Sequence, residues 1–150
     1  MFKANDREYS ESIITNDGFW PDIDVADFEV FRTIPGDINH SQIAAALVDS
    51  VVEINRQLQD IAAQRRAQGY NTAATVPGVS VDGKNELITQ YQKAVFARAK
   101  ADLIGEYASL GRSEGHTGQD NPKTKADLLA EAAYTVRNIK GLKRVGVSLL

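Results

Sequence analysis

The sequence predicts an all-α fold, a small helical bundle of about four helices with an extended N-terminal arm and a short extended C-terminal tail. Three observations carry that expectation. Apolar residues recur at steps of three and four along three long segments, which puts them on one face of a helix. Each of these segments is followed by a glycine, which accepts the left-handed backbone that closes a helix. Only the last residues, 143–150, alternate at period two, as an extended chain does. The expected organisation is a single domain over 1–150, with an arm at 1–21, the bundle at 22–142 and the tail at 143–150.

The first helix is short, Val25 to Thr33. Asp22 or Asp24 caps it, because a carboxylate oxygen accepts from the unpaired first-turn amides and suits the positive end of the helix dipole. Pro35-Gly36 ends it. A long second helix runs Ser41 to Gln68, opened by Asn39 with Gln42 as a variant capping box and stopped by Gly69. Its stripe is Ile43, Leu47, Val51, Ile54, Leu58 and Ile61. The third spans Lys84 to Ser109, with Leu87, Tyr91, Val95, Ala99, Leu103 and Tyr107 every four residues, Ile88 and Ile104 beside them, and Gly111 as the stop. The fourth covers Lys123 to Lys140 with Leu128, Leu129, Ala132, Val136 and Ile139 on one side, Pro122 at its start and Gly141 at its end. Between these helices, 69–83 carries β-branched residues and turn signals that suggest a hairpin-like excursion, and 111–121 reads as a polar loop.

Bulk properties narrow the function. A chain of 150 residues with 43% hydrophobic and 25% charged side chains can bury a real core. No apolar run is long enough to suggest a membrane span, so no membrane partner is expected. The opening "MFKANDREYSES" lacks the apolar stretch of a signal peptide, and an intracellular site of synthesis is expected. Without cysteine there is no disulfide and no thiolate metal site. The net charge of −3 is unevenly spread: residues 1–38 hold three basic and nine acidic side chains, and residues 112–150 hold seven basic and four acidic. Such a chain does not hold DNA by bulk attraction. The asymmetry suits head-to-tail contact between copies, or two solvated ends that never meet.

A search for catalytic chemistry returns little. Gly111–Gly115 matches G-x-S-x-G, but the nucleophile elbow needs a strand-to-helix turn in a large sheet, and here a helix precedes it. His40 and His116 have no partner at metal-ligand spacing. Asp22, Asp24 and Asp27 lack the glycine and distal glutamate of a calcium loop. No phosphate-cradling glycine motif occurs. The expectation is a protein without catalytic residues, cofactor or metal, built to pack and to bind. Phe19 and Trp20, the latter the sole tryptophan, lie outside every periodic segment. Either they fold back on the bundle as a staple ahead of the first helix, or they are aromatic anchors for a partner.

"NDGFWPDIDVADFEVFR", "IPGDINHSQIAAALVDSVVEINRQL", "AQGYNTAATVPGVSVDG" and "YQKAVFARAKADLIGEYAS" together resemble the head completion proteins (GpL type) of contractile-tailed bacteriophages. The resemblance runs from about Ile13 to Leu150, and Asn16–Asp24 is its most specific part. It implies a head–tail connector that binds the portal protein after DNA is packaged, stabilises the filled head and receives the tail or its completion protein. It further implies self-assembly into a ring, typically of twelve copies, near packaged DNA at the lumen. The location implied is the virion head–tail junction, after assembly in the host cytoplasm. The candidate interface pairs the acidic arm (Phe19, Trp20, Asp22, Asp24) with the basic C-terminal region (Lys140, Lys143, Arg144, Val145, Val147, Leu149). An alternative reading is a soluble helical regulator that binds another protein.

Overall fold

A computed structural model describes residues 11–113 and 125–142, with side chains described for 11–104 and 125–142. The architecture is predominantly helical, with short two-residue strands at its margins. Strands β1 (Ile13–Ile14) and β2 (Ile23–Asp24) pair antiparallel, Ile13 opposite Asp24 and Ile14 opposite Ile23. Helix α1 (Val25–Phe31) follows directly, and the Asp24 carboxylate accepts from the Ala26 amide at 2.9 Å. Of the two aspartates expected as its cap, Asp24 takes the position and Asp22 works elsewhere.

Helix α1 ends earlier than the Pro35-Gly36 pair suggests. Thr33 adopts the left-handed conformation at φ 52°, and the Ile34 amide reaches back to the Glu29 carbonyl at 3.0 Å. A β-branched residue seldom takes this backbone. Ile34, fully buried, and Arg32, nearly so, hold it there from either side.

The long second segment is two helices, α2 (His40–Gln57) and α3 (Gln59–Ala67), meeting at Leu58. Asn39 caps α2 by accepting from the Ser41 amide at 2.8 Å. No proline or glycine occupies the joint. The Leu58 amide still reaches Ile54 and its carbonyl still receives Ala62, so the helix bends rather than breaks. Leu58 is fully buried and Ala62 nearly so; four residues apart, they share the core-facing side. Gly69, at φ 99°, closes α3, with the Tyr70 amide on the Arg65 carbonyl at 3.0 Å.

The excursion after Gly69 contains a 3₁₀ turn (Ala73–Thr75) and a hairpin of β3 (Ser80–Val81) and β4 (Lys84–Asn85). Asp82 and Gly83 both have positive φ, 51° and 78°, the requirement of the tight hairpin turn that Asp-Gly favours. Helix α4 (Glu86–Ser113) starts two residues later than its apolar period suggests, because Asn85 is its cap: the side chain accepts from Ile88 at 2.9 Å. It also passes through Gly111, where the sequence places a stop. An isolated glycine weakens a helix by only about 1 kcal/mol, so it is a breaker only where nothing else favours continuation. Helix α5 (Lys125–Ile139) closes at Gly141 in the same manner as α3.

Helix α4 is the centre, packed against α5 and α2. Its Tyr91, Ala94, Val95, Ala97, Ala99 and Ala101 are fully buried. Alanine at so many positions leaves room for neighbouring helices to approach closely. The predicted stripes of α2 and α5 form the core, apart from the half-buried Ile61 and Leu129.

Candidate assembly surfaces and the N-terminal clasp

Residues 16–20 are held on the bundle by two linked devices. The first is aromatic. Trp20 stacks on Tyr91 of α4 with ring centroids 4.6 Å apart and planes 6° from parallel. Phe19 meets the indole edge-on at 4.9 Å, and the Arg66 guanidinium lies 5.3 Å from the Phe19 ring. Phe19 and Trp20 are 2% and 3% exposed and belong to the chain's own core. They cover the α4 flank that Tyr91 would otherwise open to water.

The second device is a closed ring of side-chain hydrogen bonds. Asn55 of α2 donates to the Asn16 oxygen at 2.8 Å, Asn16 donates to the Tyr91 hydroxyl at 2.8 Å, and Tyr91 donates to the Asn55 oxygen at 2.6 Å. Each of these groups therefore both gives and receives, which lets polar side chains sit on an apolar helix face. The phenol pKa lies well above its ordinary value of 10: burial is the largest cause, the bond from Asn16 opposes it, and the Asp17 charge adds to it. Tyr91 thus keeps its proton, and its donor role, throughout the physiological range.

The backbone of this segment is tied down as firmly. Asn16 also donates to the Pro21 carbonyl, and its amide donates to Asp22, both at 2.8 Å. The Asp17 carboxylate accepts from the Phe19 and Trp20 amides at 3.0 Å each. The Phe19 carbonyl receives the Ala73 amide at 2.8 Å, and Asn85 donates to the Ala73 and Val76 carbonyls at 2.7 Å. One chain of contacts therefore connects the N-terminal segment, the excursion and the start of α4. Asp17, Asp22 and Asp27 remain exposed and display the acidic character outward. Beside them is a shallow groove of about 340 Å³ lined by Trp20, Asp22, Thr72, Ala74 and Ile88.

A separate tie joins α1 to α5. Arg32 donates through both terminal nitrogens to Glu131, at 3.0 and 3.1 Å, and the Lys100 ammonium donates to the Arg32 carbonyl at 2.9 Å. This two-pronged pair bridges positions far apart in sequence, and neither member was singled out by spacing.

The remaining sequence-level candidates are dispersed. Lys140 is exposed just after α5. Lys143, Arg144, Val145, Val147 and Leu149 lie outside the described residues, as do His116, Pro122 and the last two residues of the G-x-S-x-G match. Gly111–Ser113 belong to the last turn of α4, a context that offers no strand-to-helix elbow. Asp22 and Asp24 serve different amides, and no cluster of three or more potential metal ligands occurs among the described residues. No helix among the described residues is long and apolar enough to cross a membrane.

The profile of the phage head completion protein (GPL) family matches residues 14–150. The chain belongs to that family. Across the whole of both chains it is 38% identical to a probable head completion/stabilization protein of Haemophilus phage HP1 (strain HP1c1). It is 28% identical over 140 residues to the head completion/stabilization protein of Escherichia phage P2, covering 92% of this chain and 83% of that one. No solved structure matches it. Family membership makes this a structural component of the phage head, a virion protein, and not an enzyme. The first matched position, Ile14, is the second residue of β1 and pairs with Ile23 of β2.

Proposed function

We propose that this protein completes the DNA-filled head by binding the portal protein once packaging ends, and that copies of it form a ring of twelve, as the resemblance to head–tail connectors implies, to which the tail or its completion protein attaches. The observation that carries this reading is the family match over nearly the whole chain, together with a full-length relative whose name couples completion with stabilization. The acidic N-terminal segment and basic C-terminal segment are different parts of one chain with opposite charge, which suits head-to-tail contacts between copies.

Heads packaged with and without the chain test this directly. Heads lacking it are expected to lose DNA and to fail at tail joining, and addition of purified protein restores both. Imaging of restored heads should place extra density at the portal vertex, and its rotational symmetry gives the copy number. Heads that keep their DNA and accept tails in its absence refute the proposal.

A further inference from the structure

The hairpin 79–85 leaves an apolar edge uncovered. Val79 is 78% exposed and Val81 63% exposed, and residues two apart on an extended chain share a face. The Glu86 amide donates to the Val79 carbonyl at 2.7 Å, so the backbone groups of Val79 and Val81 turn toward β4. Those of Ser80 between them turn away, and among the described residues no strand pairs with that side of β3. An open strand edge carrying exposed β-branched residues is a template for another strand.

Resting on the ring reading above, we infer that this edge receives the C-terminal tail, residues 143–150, of a second copy, added as an antiparallel third strand. The two sequences match in one register. Val145 opposite Val81 brings Val147 opposite Val79 on the same face. The same register sets Arg144 beside Asp82, which is exposed at the hairpin turn. It also aligns Ser80 with Gly146, where the backbone bonds form. A parallel arrangement that keeps the valines together sets Arg144 beside Gly78 and leaves Asp82 without its basic partner. Eight extended residues reach about 26 Å, enough to run the length of this edge. The edge and the tail are two different surfaces of one chain, the geometry of a head-to-tail contact.

The absence of native cysteine makes the test clean. Val79→Cys and Val147→Cys are made as separate chains, mixed and oxidised. In the inferred register these positions form a non-hydrogen-bonded pair about 4.5 Å apart at Cα, within reach of a disulfide. The expected result is a species of twice the monomer mass that forms in the mixture, is scarce in either variant alone, and is lost on reduction. Moving one cysteine to Ser80, a register error, should abolish it, and Asp82→Asn, which tolerates the left-handed turn, should lower its yield. No crosslink in the mixture, or a crosslink found only within one chain carrying both substitutions, overturns the inference. The same proteins added to packaged heads keep the outcomes apart: absent crosslinking with intact DNA retention removes the strand contact and leaves the head-completion reading standing.

Discussion

The N-terminal clasp and the 79–85 hairpin are both short, irregular stretches stitched to the start of α4, yet they handle their apolar side chains in opposite ways. In the clasp, Phe19 and Trp20 are almost wholly buried, and the polar groups beside them close a ring through Asn16, Asn55 and Tyr91. In the hairpin, Val79 and Val81 stand in solvent while the neighbouring Asn85 is buried and bonded to three backbone groups. The difference is between a sealed region and an open one. The chain seals the region whose opening would expose α4, and it anchors the hairpin at its base while leaving the outer edge bare.

The largest effect that separates the two regions is expected from Trp20→Ala. Truncating a buried tryptophan removes both its transfer energy and its packing against Tyr91, about 3–5 kcal/mol. Denaturant unfolding should show a loss of that size. A loss under about 1 kcal/mol would mean that the clasp does not share the core's cooperativity.

Tyr91→Phe keeps the stacked ring and removes only the hydroxyl. Asn16 and Asn55 then each lose one of their hydrogen bonds, with an expected cost of about 1–3 kcal/mol. The same variant tests the pH dependence. Because burial raises the phenol pKa above 10 in the folded chain, the unfolded chain releases that proton first as pH rises. Stability contributed by the neutral phenol is complete below pH 10 and declines above it; the decline should be shallower in Tyr91→Phe. Equal slopes for the two proteins would detach Tyr91 from the alkaline loss.

Glu131→Gln leaves Arg32, 9% exposed, without its full counter-charge. A charged hydrogen-bonded pair at this depth is worth about 1–3 kcal/mol. Thermal unfolding at low and high salt reads it, and a deficit that vanishes in high salt would make the pair a surface interaction after all.

The smallest effect on the isolated chain is expected from Val79→Ser with Val81→Ser. Both side chains are exposed, so stability should stay within about 0.5 kcal/mol of the parent. Association of copies, followed by sedimentation, should weaken. A double variant that unfolds would place the valines in the fold rather than at an edge.

Much of the architecture was legible because helix periodicity is a local property. The stripes through Leu47, Tyr91 and Val136 follow from spacing alone, as does the Asp-Gly turn of the hairpin, which needs two residues that tolerate positive φ. The capping role of Asn85 is missed, because the helix is expected to start at Lys84 and so to include it. Family resemblance rested on the same local segments, and the match over 14–150 agrees with it.

Tertiary structure alone decided what those residues meet. Nothing near Leu58 marks the junction of α2 and α3, where its backbone leaves helical geometry while the hydrogen bonds on both sides persist. Gly111 has the chemistry of a stop and lies inside a helix, since an intrinsic preference of about 1 kcal/mol yields to the rest of the segment. Asn16 and Asn55 have no periodic or spacing signal in the sequence, and nor do Arg32 and Glu131. Only folding brings them to Tyr91 and to each other. Periodicity fixes which face of each helix turns inward, while the pairing of side chains across elements depends on separations of dozens of residues that no local spacing encodes.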